Sequence, residues 1–320
     1  MLERDNDDDS SPEPKRDWTL SVEMLRAVLQ DQTYEAVAAL HGITRTAVER
    51  RIKSVARRLA AIADIEGLNE DGAAFVRRLR MHRLAVLAAL STFDPTDVPA
   101  APAQTDIQVL REEEITTGAQ RIRTRSHQPF EDLALYYMLF ATAARPLEIA
   151  RLEVRDYLDA DGTVRRTSEI REEVAITGRS RPLYFRSARL DEAMTDYLAE
   201  RALRGHGLGD HGRFGGFDPT GRLFLSPTGR GFEITRYGDE GQRRFLCRAI
   251  QETYRKLFRY AGFKGVTALT VRHTVADRLY ARGADESQVG LLLGIAERSA
   301  VREQFPRRLP TMDELTRDLV

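Results

Sequence analysis

The longest apolar run in the chain, Leu133 to Ala144, sets the first limit on what it can fold into. It falls well short of the roughly 20 residues that a membrane-spanning helix needs. A helix buried on all sides inside a globular core accounts for it instead. Helical periodicity dominates the flanking sequence, with helices expected over Leu110–Arg123, Phe130–Ala144, Leu147–Leu152, Asp191–Arg204 and Phe245–Ala261. Short strand-like pieces stand at Thr163–Ile170, Glu173–Thr177 and Pro182–Phe185. The chain therefore reads as mainly α with a small β-sheet.

Charge gives no global pull toward a polyanion, because 49 basic side chains face 49 acidic ones. Attraction to nucleic acid must come from local patches. The lone Cys247 excludes an internal disulfide and fits a reducing compartment. The opening residues are acidic rather than basic and then apolar, so no secretory leader is expected and the location predicted is cytoplasmic, on the nucleoid.

Residues 1–17 hold seven acids, three bases and two prolines, the composition of a disordered tail. From Trp18, the spacing of Leu20, Val22, Leu25, Val28 and Leu29 predicts one buried helical face. Next comes QTYEAVAALHGITRTAVERRIKSVARRLA, residues 32–60. Thr33–Leu40 gives a short helix with small Ala38 at a close-contact position. Gly42 permits a left-handed turn, and Thr44 can cap a second helix with Val48, Ile52 and Val55 inward. These features form a helix-turn-helix over residues 18–65, similar to those of sigma-factor region 4 and of response regulators. The second helix carries six bases and one acid between Thr44 and Leu59. Arg45, Arg50 and Arg51 lie early, where base edges are met, while Lys53, Arg57 and Arg58 fit phosphate. That excess predicts steeply salt-dependent binding. A helical hairpin used for packing is the alternative. Residues 66–104 then read as an arginine-bearing helix, Ala73–Leu90, and a linker rich in Pro and Ala.

Residues 105–320 carry two motifs in a fixed order. ATAARPLEIARL, Ala141–Leu152, presents Arg145 on a small-residue turn after the apolar helix. TALTVRHTVADRLYARGADESQVGLLLG, Thr267–Gly294, opens a helix with Arg272, His273 and Thr274 and ends in Leu293-Gly294. Together these resemble the two arginine motifs of the tyrosine recombinases (phage integrases), and the resemblance implies their catalytic-type domain behind the helix-turn-helix. In that family a tyrosine attacks the scissile phosphate while two arginines, two histidines and a hairpin lysine surround it. Here Arg145 and Arg272 keep the arginine positions. The first histidine position holds Leu269, the second Ile295, and the hairpin lysine position falls on Arg179, a poor general acid. The tyrosine position falls on Gln304 or Phe305, and no tyrosine follows Tyr280. His273 reads as a helix-packing residue.

The resemblance thus implies a catalytically degenerate member, with no cleavage set intact. It implies contacts to DNA phosphate by Arg145 and Arg272, and an accessory or regulatory role in recombination or integration of a mobile element. The partners expected are duplex DNA, an active tyrosine recombinase and other copies in an oligomer, with an amphipathic last helix, Leu309–Val320, as the docking element. No cofactor is expected. His206 and His211 in the glycine-rich Gly205–Gly221, read as a flexible insertion, lack further ligands for a metal. Two other readings stay open: an active recombinase with displaced residues, and a transcription regulator that uses the recombinase-like part as a scaffold.

Overall fold

The computed structural model describes residues 13–63, 65, 68, 75–92, 108–209, 212–226, 228–237 and 244–307. The expected tail up to residue 12, the linker at 93–106 and the last helix at 309–320 lie outside them. The chain divides into two compact units, residues 1–103 and 104–320.

In the first unit, described helices are α1 (Glu13–Leu29), α2 (Tyr34–His41), α3 (Arg45–Ala63), α4 (Phe75–Met81) and α5 (Arg83–Thr92). α1 begins at Glu13 rather than Trp18, since Pro14 sits in the first turn, where its missing N–H is one that a helix leaves unpaired anyway. Thr33 caps α2 by accepting the Ala36 N–H at 3.2 Å, and Gly42 ends it at φ 63°. The Thr44 hydroxyl accepts the Ala47 N–H at 3.2 Å and so starts α3. Val48, Ile52 and Val55 are buried against α1, which contributes Met24, Leu25 and Val28. The single helix expected over Ala73–Leu90 is two, parted at His82. Arg80 of α4 donates to the carbonyls of Val28 (3.2 Å) and Gln32 (3.1 Å), placing a cation at the negative end of α1.

The second unit is built around α7 (Pro129–Thr142), whose Leu133, Ala134, Leu135, Met138 and Leu139 are buried. Around it lie α6 (Glu112–Arg125), α8 (Pro146–Arg151), α10 (Ala188–Leu203), α11 (Arg248–Ala261) and α12 (Ala268–Ala281), with the short α9 (Val154–Tyr157) following α8. α13 (Glu286–Leu293) and α14 (Arg298–Gln304) close the described chain. Two buried phenols of this unit are satisfied: Tyr136 donates to the Ile115 carbonyl and Tyr254 to that of Leu135, both at 3.0 Å. A Cβ on Gly118 would stand 2.8 Å from the Tyr136 hydroxyl, so the glycine is what lets α6 lie against α7.

Two antiparallel ribbons complete the unit: β1 (Thr167–Ile170) with β2 (Arg181–Tyr184), and β3 (Thr235–Tyr237) with β4 (Arg244–Leu246). The strand expected at Glu173–Thr177 is a turn instead. Val174 and Ala175 both donate to the Arg171 carbonyl, and the two side chains are buried there without extending. The second ribbon was not expected, and it takes Phe245 out of the predicted start of α11. The described residues of the glycine-rich segment are held in place. Arg201 donates to the carbonyls of His206 (3.0 Å), Arg222 and Leu223 (2.9 Å each) and lies 4.9 Å over the Phe217 ring. No group able to hold a metal ion occurs among the described residues, and among them no helix is long and apolar enough to cross a membrane.

Candidate nucleic-acid interface

The Arg145 motif is set by a strained turn. α7 ends at Ala143 with φ 51° and ψ 20°, a left-handed conformation that costs a residue bearing a Cβ about 1 kcal/mol. Thr142 braces it, donating to the Met138 carbonyl at 2.6 Å and accepting the Ala144 N–H at 3.2 Å. The reversal makes Arg145 the N-cap of α8, with Pro146 at the first helical position. Glu148 reaches back to accept the Arg145 N–H at 2.9 Å.

Glu148 has no solvent exposure and pairs with Arg181 of β2 through two bonds of 2.7 and 2.5 Å. Burial by itself would raise its carboxyl. The Arg181 hydrogen bonds and the charges of Arg181 and Arg145 outweigh it and hold the group at about 2. Arg181 also donates to the Leu292 carbonyl at 3.1 Å, tying the first ribbon to the end of α13. The resemblance implies Arg179 at this hairpin, yet Arg179 is exposed in the connection between β1 and β2. A signal for Arg181 was present. In Arg181-Pro182-Leu183-Tyr184-Phe185 the alternate members Arg181, Leu183 and Phe185 are the buried ones, the period of a strand with one inward face.

Arg272 lies in the first turns of α12, which Thr267 caps, and is 2% exposed. One outer nitrogen donates to the Ala143 carbonyl at 2.8 Å and the other to the Leu293 carbonyl at 2.9 Å. The Phe305 ring lies 5.6 Å from its guanidinium carbon and 4.6 Å from the His273 ring. Burial, then the Arg272 charge, lowers His273 to about 4, so it is neutral near neutral pH. Leu269 and Ile295 pack on the apolar cluster that contains Ala143, Leu293, Val301 and Phe305. The Arg145 turn, Arg272, Leu269, Ile295 and Phe305 therefore meet in one place, and Arg179 is not among them. Chemically the cluster offers buried guanidinium groups and a carboxylate, with no hydroxyl on the ring at position 305. Arg272 is almost fully buried, and two of its five N–H donors already meet backbone carbonyls.

In the first unit the six bases of α3 separate by partner. Arg45 pairs with Glu35 at 2.6 Å and approaches Glu49 at 3.9 Å. Lys53 pairs with Glu49 at 2.8 Å. Arg50 and Arg57 are exposed. Arg51 instead bonds the Ser21 hydroxyl of α1 at 3.3 Å, and Arg58 lies 5.3 Å over the Trp18 ring, where burial lowers its pKa. Those two turn toward α1, because they sit about 80 to 100° around the helix from Arg50.

No family model and no curated protein matches this sequence. Among solved structures, the chain is similar to XerA recombinase, with 17% identity over 96% of this chain and 91% of that one at a TM-score of 0.46. It is similar also to XerH site-specific recombinase bound to palindromic difH substrate, with 15% identity, 93% and 77% of the two chains and a TM-score of 0.47. A third is the Tn1549 transposon integrase in complex with transposon right end DNA, at 14% identity, 90% and 96% coverage and a TM-score of 0.45.

Proposed function

We propose that this chain binds duplex DNA on a tyrosine-recombinase-type scaffold that has lost strand cleavage. It acts as an accessory or regulatory factor in site-specific recombination or integration of a mobile element, alongside an active recombinase. One observation carries the reading: the positions that the resemblance assigns to cleavage, 269, 295 and 305, gather beside Arg272 and bring only apolar side chains. A charged pentavalent phosphate would find no nucleophile at 305 and no histidine at 269 or 295, and the imidazole of His273 is packed against the Phe305 ring. Each missing donor of this kind costs about two to three orders of magnitude in rate.

The test is a denaturing gel for a covalent protein–DNA adduct on a nicked suicide duplex. Neither the wild type nor Phe305→Tyr alone should give one, since the new phenol would still lack a base and an electrophilic phosphate. Adduct is expected only when Leu269→His and Ile295→His accompany the tyrosine. A clear adduct from wild type would establish the active-enzyme alternative.

A second reading is favoured by the burial of Arg272: a transcription regulator in which the second unit is an oligomerisation scaffold with no phosphate contact. Hydroxyl-radical footprinting separates the two. Protection confined to the site of one helix-turn-helix supports the regulator, and protection extending beyond it supports the recombination factor.

A further inference from the structure

On a helix, successive residues turn by about 100°. Arg45, Glu49, Lys53, Thr46, Arg57 and Arg50 therefore fall on one arc of α3 of about 140°, while Arg58 and Arg51 stand about 80 to 100° beyond it. The contacts agree with that division, since Arg51 and Arg58 are held by α1. Within the arc Arg45 and Lys53 flank Glu49, and Glu35 of α2 takes the other side of Arg45. Among the described residues no carboxylate pairs with Arg50, which is exposed.

We propose that this arc reads a G·C-containing step in the DNA major groove, with Arg50 fixing a guanine and Glu49 accepting from a neighbouring cytosine. The inference rests on the duplex-DNA reading above and adds its sequence chemistry. An arginine fork donates to O6 and N7 of guanine, and a carboxylate accepts from the cytosine N4 amine. Adjacent residues with opposite hydrogen-bonding character suit the two strands of such a step. A carboxylate facing a phosphate-lined groove is repelled unless cations offset it, and Arg45 and Lys53 do so while fixing its position. Thr46 to Arg57 spans about 16 Å, the rise of about five base pairs. A short half-site therefore suffices for one copy.

The experiment selects from a duplex library with a randomised centre, using the full chain. Wild type should enrich a core containing a G·C step. Arg50→Ala should lower the preference for guanine at one position by about 5- to 150-fold while leaving affinity for random duplex nearly unchanged. Glu49→Gln should relax the adjacent position and bind random duplex more tightly. Arg57→Ala should weaken all sequences alike and leave the motif intact. Trp18 fluorescence melts verify that each variant remains folded in the first unit. Binding without an enriched motif, or the same motif from Arg50→Ala, would overturn this inference alone. Absence of binding to any duplex would overturn it together with the proposed function.

Discussion

Removing the Arg181 guanidinium should expose how much of the second unit hangs on one buried ion pair. In Arg181→Met, Glu148 stays at zero exposure with its bidentate partner gone. The carboxyl is lowered from 4.5 to about 2 in the folded protein, against the pull of burial, mainly by Arg181. At about 1.36 kcal/mol per pH unit, that drop is worth about 3 kcal/mol. Breaking a buried pair by removing one member costs about 3 to 5 kcal/mol, the same direction and order. Because the folded pKa is depressed, the contribution is complete above about 4.5 and fades as pH falls toward about 2. At pH near 7 a unit of this size should lose about 6 to 12 °C in melting temperature, at about 2 to 4 °C per kcal/mol. Far-UV circular dichroism follows that transition. The only tryptophan, Trp18, lies in the first unit and serves as an internal control whose melt should not move. Adding Glu148→Gln to Arg181→Met removes the stranded charge and should recover part of the loss. A shift under about 2 °C for the single variant, or a double variant less stable than the single, would refute the account.

Glu131, at the start of α7, is 8% exposed, and burial followed by the charge of Asp132 raises its carboxyl to about 7 against the pulls of Lys256 and Arg204. The folded state thus holds this proton more tightly, and stability should fall as pH rises from about 4.5 through about 7. Glu131→Gln should gain up to about 3 kcal/mol over wild type at pH 8 and little at pH 5, measured by denaturant titration; an equal change at both would contradict it. The salt dependence of DNA binding should be shallower than six bases suggest, since Arg45 and Lys53 already hold carboxylates and Arg51 and Arg58 face α1. With Arg57 left to neutralise phosphate and Arg50 on a base edge, the slope of log affinity against log salt should be about −1, and polarisation titrations giving a slope steeper than about −4 would restore the six-base reading.

The elements that the sequence revealed are those specified locally. Thr33, Gly42 and Thr44 carry their capping chemistry in the residue itself, and Val48, Ile52 and Val55 mark an inward face by spacing alone. The apolar run of α7 needs no partner to declare itself buried. Contacts between distant residues were hidden for the opposite reason. Nothing local to Arg181 announces Glu148, and nothing near Arg272 announces the carbonyls of Ala143 and Leu293. The Val174-Ala175-Ile176 run reads equally as strand or buried turn until the packing around Arg171 decides. Arg201 likewise organises a glycine-rich stretch whose composition alone suggested slack. The orientation of Arg51 and Arg58 was available in the helical angle, and a count of positive charges obscured it.

The bond from Arg272 to the Ala143 carbonyl has a consequence for surveying genomes. A lysine at 272 would offer its donors from one nitrogen, whereas the planar fork reaches the Ala143 and Leu293 carbonyls from two, so it acts as a keystone between the Arg145 turn and the end of α13. It holds in place a left-handed alanine that would otherwise relax. Selection for folding alone is enough to retain an arginine that carries such contacts. A motif search built on the two arginines therefore counts scaffolds that stand, and says nothing of how many still cut. Under the function proposed above, the side chain at position 305 is the more informative place to look, since a phenyl ring there leaves the keystone untouched and lacks only the hydroxyl.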